Sequence, residues 1–163
     1  MAPWSKTRKI LEEECLCEAL RGRVRYFVTR YRHAHDGRGR ASVEVDGTEV
    51  INMPFVNEYR INLEAHKWTA DSEKSLFDAL PEVEKEFADE RKFEPGDFGF
   101  AIEEYLGQSI SKSLASPNHL VRMLAILDRR VGKRTLTKQK ALLAQQPQWL
   151  QFFYTLRLEC EGL

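Results

Sequence analysis

The chain has 163 residues, with 25 Lys+Arg balancing 25 Asp+Glu for a formal net charge of zero. A composition of 42% hydrophobic and 31% charged residues excludes a disordered tail and a collagen-like chain, and the zero balance excludes a uniformly basic nucleic-acid coat protein. Three cysteines, Cys15, Cys17 and Cys160, are too few for a disulfide framework and fit reduced thiols in a cytosol.

No run approaches the ~18–20 apolar residues that span a bilayer. At the amino end, Leu11 is followed at once by Glu12, Glu13 and Glu14, which breaks any secretory signal. The expectation is a cytoplasmic protein with no membrane association.

The first element reads as a helix from Trp4 to Leu20, with Ser5 as its N-cap and Ile10, Cys17 and Leu20 on one side. On such a helix Cys15 and Cys17 point apart and do not share a metal. A period-2 region follows. Val24, Tyr26 and Val28 alternate with Arg25 and Phe27, and the strand leads into the turn His35-Asp36-Gly37-Arg38-Gly39. A second strand covers Arg40–Val45, Asp46-Gly47 is a hairpin turn, and Thr48–Met53 is a third strand. Tyr59-Arg60-Ile61-Asn62-Leu63 alternates and is readable as a fourth.

From Asp71 the period becomes helical, with Leu76, Leu80, Val83 and Phe87 in one row. Pro81 inside that row demands a kink or a break. Asp97 is placed to cap a helix from Phe98 to Leu114. Ser116-Pro117 opens the next, whose stripe is Leu120, Leu124, Leu127 and Val131 and whose end is Gly132. Thr135–Ala144 is a further short helix. Pro147 opens the last, with Trp149, Phe152, Phe153 and Leu156 facing inward. The order predicts one α+β domain over 1–163: an N-terminal helix, an antiparallel three- to four-stranded meander, then a C-terminal cluster of about five helices.

The zero net charge hides segregation. Residues 21–40 hold seven arginines against Asp36 alone; residues 71–104 hold twelve acids against four bases; residues 122–140 hold seven bases against Asp128 alone. Either the blocks neutralise one another at the surface, or the basic ones hold phosphate. Arginine forks suit bidentate phosphate contacts, and Tyr26, Phe27 and Tyr31 are interleaved with them, as on a single-strand-binding sheet. The densest motif is Leu127-Asp128-Arg129-Arg130-Val131-Gly132-Lys133-Arg134-Thr135-Leu136. With Gly132 ending a helix, its cations would gather at a helix carboxy terminus, where the macrodipole favours them. Asp128 lies on the apolar stripe and needs a buried partner.

Other chemistry is thin. His33 and His35 share a strand face near Asp36, which is the nearest approach to a metal site, and no metal ligands are assigned. Glu44, Asp46 and Glu49 cluster at the second hairpin without the nearby lysine expected of a metal-dependent nuclease. The acidic neighbours Glu12–Glu14 and Glu18 should raise the thiol pKa of Cys15 and Cys17, which argues against a nucleophile.

Trp4-Ser5-Lys6-Thr7 followed by Leu11-Glu12, then Gly22-Arg23-Val24-Arg25-Tyr26, Leu127–Leu136, and Phe153-Tyr154-x-Leu156-Arg157 together resemble a family of small uncharacterised bacterial cytosolic proteins. The likeness covers both ends and not residues 54–95. It implies a bacterial cytosolic source and no particular activity. It also suggests that the two ends meet in space, with the Arg-rich strand near the 128–134 motif.

The expected function is non-enzymatic binding of a polyanion, nucleic acid, through Arg23, Arg25, Arg30, Arg32, Arg129, Arg130, Lys133 and Arg134, with no cofactor. The alternative is a protein-binding accessory or immunity-type module that turns the acidic 71–104 region toward a basic protein partner. A metal-dependent hydrolase or nuclease around His33, His35 and Asp36 is the second alternative.

Overall fold

A computed structural model describes residues 3–29, 39–70 and 75–163. The fold is α+β. Its strands are β1 (Val24–Thr29), β2 (Arg40–Val45) and β3 (Thr48–Pro54), in the order β1-β2-β3. Both pairings are antiparallel. Asp46 and Gly47 take positive φ, 51° and 78°, the left-handed geometry that an Asp-Gly hairpin turn adopts cheaply. Val50 is an extra residue in the β2–β3 ladder, because Glu44 pairs with Glu49 while Val43 pairs with Ile51. The carbonyl of Val50 accepts from Arg91 Nη1 at 2.7 Å, so the bulge leaves no orphan acceptor.

The first helix is shorter than its sequence pattern. After α1 (Trp4–Lys9) the chain widens into a π-helical turn over Ile10–Cys15, and Leu16 is extended. Pro3, not Ser5, stands at the N-cap. The cause is non-local. Cys17 N donates to Leu127 O at 3.0 Å and Arg129 N donates to Cys15 O at 2.8 Å, making Leu16 and Asp128 an isolated antiparallel bridge. A helix through Cys15–Cys17 would spend those backbone groups on itself.

The segment at 59–63 is helix, not a fourth strand: α2 covers Val56–Ala70. Its buried Asn57, Ile61 and Ala65 recur every four residues, the period of a helix face. Five further helices lie where the periodicities put them: α3 (Leu76–Asp89), α4 (Pro95–Gly107), α6 (His119–Ile126), α7 (Lys133–Lys140) and α8 (Gln148–Cys160). A short α5 (Ile110–Leu114) splits from the end of α4.

Helix α3 runs through Pro81 without ending. The residue is on the exposed side, where water can serve the carbonyl that has lost its donor. The helix ends otherwise differ by a few residues from the expected ones. Glu94 is the N-cap of α4, and Asp97 sits at its third position accepting from Glu94 N at 2.8 Å. Asn118, not Ser116-Pro117, caps α6, its side chain accepting from Leu120 N and Val121 N.

The main core lies between the inner sheet face and the helices. Val24, Tyr26, Val43 and Ile51 meet Phe98, Ile102 and Tyr105 of α4; Leu120, Leu124 and Ile126 of α6 and Phe153 of α8 complete it. Tyr26 and Phe98 stack with ring centres 5.9 Å apart. Phe152 is 44% exposed and is not one of the inward residues of α8. A second, smaller cluster belongs to the α2–α3 hairpin: Ile61, Ala65, Ala79 and Val83, with Leu80 and Phe87 against them.

Candidate nucleic-acid interface

The 127–140 motif is built differently from its sequence pattern. Helix α6 ends at Ile126, and Gly132 is the N-cap of α7 rather than the end of the preceding helix. Lys133 and Arg134 therefore occupy the first two positions of α7, at the positive end of its macrodipole. That is the end where cations are disfavoured, so the dipole of α7 itself does not explain them.

Asp128 is buried, 1% exposed, and it has the partner that burial demands. Arg130 Nε and Nη2 reach its carboxylate at 3.0 and 2.6 Å, and Arg130 N donates to Oδ1 at 2.6 Å. Tyr105, also 1% exposed, donates its hydroxyl to Oδ2, and the guanidinium lies 5.7 Å from the Tyr105 ring centre. Burial, together with the hydrogen bond to Asp128, holds the Tyr105 phenol above its ordinary range. Hydrogen bonding to Asp128 holds Arg130 above its own. Arg130 is thus committed to the fold as a counter-ion.

The other sequence candidates divide in the same way. Arg23 makes a two-pronged contact with Asp46, Nε to Oδ1 and Nη2 to Oδ2 both at 2.8 Å, and its Nη1 lies 3.4 Å from Cys160 Sγ. Lys133 Nζ donates to Glu161 O at 3.1 Å. The structure therefore brings Arg23 and Lys133 together at the carboxy end of α8, the end of a helix that attracts cations. Arg25 is exposed on the outer sheet face, opposite Glu44 in register. Arg129 and Arg134 are exposed, with no ion pair among the described residues. Arg30, Arg32, His33, His35 and Asp36 lie outside the described residues.

Two further lysines of α7 are exposed. Lys138 is four residues after Arg134 and shares its face, while Lys140, two further on, points to another side of the helix, the side of Lys133 seven residues before it; both lysines are exposed, and Leu136 is fully buried. Their signal is present in the sequence, since both count in the basic 122–140 block. Residues 129–140 thus expose Arg129, Arg134, Lys138 and Lys140 without an acidic partner among the described residues, and Arg134 and Lys138 share one face of α7. A surface of this kind can hold successive phosphates by charge and by guanidinium forks.

The sheet is a poorer platform. Tyr26 is 1% exposed and cannot stack a base. Its backbone N donates to Glu12 Oε1 at 2.8 Å, so the free edge of β1 is covered. Tyr31 lies outside the described residues. Two of the three hairpin carboxylates are engaged, Asp46 with Arg23 and Glu49 with Arg40 Nη1 at 2.7 Å, and Glu44 lies opposite Arg25 in register. Among the described residues no three His, Cys, Asp or Glu side chains are grouped to hold a metal ion. The Cys15 and Cys17 thiols are pushed up chiefly by burial, with the acidic residues a minor cause.

One polar cluster has the residue types of a catalytic centre. His119 Nε2 lies 2.7 Å from Asp89 Oδ1, and Arg122 Nη2 donates to His119 Nδ1 at 2.5 Å. A cleft of about 360 Å³ lined by Asp89, Glu90, Arg91, Gln148 and Trp149 lies alongside. Both ring nitrogens are spent on protein partners, so the imidazole offers no free base to a substrate. Burial lowers the pKa of His119, which keeps Nδ1 unprotonated to accept from Arg122.

No described helix is long and apolar enough to cross a membrane. A family model, the SF0329 protein family, matches residues 3–158. The chain belongs to that family. The match spans the middle of the chain as well as the two ends whose motifs carry the resemblance seen in the sequence, and the bridge between Cys15–Cys17 and Leu127–Arg129 is where those ends meet. No curated protein and no solved structure matches the chain.

Proposed function

We propose that this SF0329 family member binds nucleic acid through the exposed cations of residues 129–140, with Arg129, Arg134, Lys138 and Lys140 as phosphate contacts. Lys133, beside Arg134 in the first turn of α7, extends the basic surface, and Arg25 on the outer sheet face is a separate candidate contact. The observation that carries the reading is Arg134 at the second position of α7. The residue is exposed, lies at the positive end of a helix dipole, and has no ion pair among the described residues. The dipole disfavours a cation there and no carboxylate among the described residues offsets it, whereas an anionic ligand does so. Arg23 and Arg130 are assigned to the fold, because each already holds a carboxylate through two nitrogens. In this reading the protein is a binding module of bacterial cytosol and performs no chemistry of its own.

The test is a titration of single- and double-stranded oligonucleotides at several salt concentrations. Four phosphate contacts predict that log K falls with log salt at a slope of about −3 to −4, so a threefold rise in salt weakens binding by roughly 30- to 80-fold. The triple variant Arg129→Ala/Arg134→Ala/Lys138→Ala should flatten the slope by about 2 to 3. Absence of binding at low salt, or a slope unchanged in the variant, refutes the assignment.

A further inference from the structure

The hairpin of α2 and α3 uses one side of α2 to fold and leaves another apolar side uncovered. Ile61 and Ala65 face α3, where they meet Ala79 and Val83. On the opposite side Val56, Tyr59 and Leu63 are 45%, 65% and 42% exposed. These three positions, continued by His66 and Ala70, repeat at alternating intervals of three and four residues, the spacing of a coiled-coil seam. The hairpin is fastened at its base, where Asn57 Nδ2 donates to Phe93 O at 2.8 Å and Trp149 Nε1 donates to Ala88 O at 2.9 Å. Single exposed apolar residues are ordinary; three in register along one helix form a strip that another helix can follow.

We infer that this strip of α2 docks an acidic amphipathic helix of a partner protein. Charge selects that occupant. Arg60 and Lys67, both exposed, fall one position after Tyr59 and His66, which places them along one margin of the seam, where interhelical ion pairs set partner choice. The opposite margin carries Asn62 and Thr69, which are neutral. Arg60 has no ion pair among the described residues, and Lys67 holds only the exposed Glu64 at 2.6 Å, a surface contact that a partner carboxylate can replace. A second copy of this chain is a worse fit, because antiparallel packing of two such seams sets Arg60 and Lys67 against their own counterparts. The inference is independent of the nucleic-acid reading, which rests on α7.

The experiment uses the full chain and a labelled 21-residue synthetic helix with Leu at the seam positions and Glu on both margins, which spans the 15 residues of α2 with nearly a turn beyond each end. Binding is read by fluorescence anisotropy. Parallel arms carry the same peptide with Lys margins, one with Ser at the seam, and a single-stranded oligonucleotide. Sedimentation of the protein alone reports self-association, and circular dichroism checks that each variant is folded. The expected result is saturable binding of the Glu peptide at micromolar concentration, at least tenfold weaker for the Lys and Ser peptides. Tyr59→Ser/Leu63→Ser should weaken it at least tenfold, and Arg60→Glu should weaken it and lower its salt dependence. Both variants change exposed side chains, so the helix content should hold; if Tyr59→Ser/Leu63→Ser unfolds, Tyr59→Ala and Arg60→Glu carry the test. No saturation up to about 1 mM, equal binding of Glu and Lys peptides, or a dimer abolished by Tyr59→Ser/Leu63→Ser overturns the inference. So does loss of oligonucleotide binding in that variant without any peptide binding in the wild type.

Discussion

Replacing Asp128 should cost this protein a large part of its stability. The carboxylate is 1% exposed and is held by the Tyr105 hydroxyl, the backbone N of Arg130, and two guanidinium nitrogens of Arg130. Asp128→Ala leaves a buried phenol without an acceptor and releases the guanidinium from its counter-ion. Breaking a buried pair by removing one partner costs about 3–5 kcal/mol, against a total of roughly 5–15 kcal/mol for an ordinary domain. The guanidinium end is partly open to water, with 47% of the Arg130 side chain exposed, so the lower part of that range is expected. Asp128→Asn keeps an acceptor and loses the charge, for about 1.5–3 kcal/mol. Tyr105→Phe removes one donor and should cost about 1–3 kcal/mol. The Asp128→Asn/Tyr105→Phe double variant should lose less than the sum of the singles, with a coupling of about 0.5–3 kcal/mol. Urea denaturation read by tryptophan fluorescence gives these values as midpoint shifts at constant slope. A loss below about 1 kcal/mol for Asp128→Ala, or strict additivity of the pair, would refute the claim that the buried carboxylate ties Tyr105 of α4 to Arg130 as part of the fold. The same reasoning makes Arg130→Ala a poor probe of ligand binding, since it disturbs the fold and the charge together.

Two further expectations follow from the charge arrangement. Arg134→Glu at the second position of α7 should raise stability by about 0.3–1 kcal/mol while weakening oligonucleotide binding; urea midpoints and a titration on one preparation should therefore move in opposite directions, and a loss of both would point to a structural role for Arg134. Asp97, near Glu94, Glu84 and Glu58, has its carboxyl pushed up to about 6, with burial the first cause. Its folded pKa lies above the unfolded one, so its protonated form stabilises the fold at low pH, and that contribution is lost as pH rises from about 4 through 6. Asp97→Asn should therefore lose less stability than the parent over that interval, measured as urea midpoints at pH 4, 5, 6 and 7.

The three strands, their turn at Asp46-Gly47 and the five long helical stretches are legible in the sequence because each is set by contacts within a few residues. A period of two or 3.6 fixes which side chains share a face, and Asp-Gly accepts the positive φ that a tight hairpin requires. The need of Asp128 for a buried partner was equally readable, from a carboxylate on an apolar stripe. The rest depended on residues far apart in the chain. Tyr59–Leu63 alternates well enough for a strand, and packing against α3 made it helix. The stretch at Cys15–Cys17 has the pattern of a helix, and its pairing with Leu127–Arg129 drew it out straight. The charge blocks mark where cations accumulate, but only the tertiary structure sorted Arg23 and Arg130, spent on Asp46 and Asp128, from Arg129 and Arg134, which face solvent. Sequence registers charge as a count along the chain, whereas a charge is free to meet a ligand only if no partner folds back to take it.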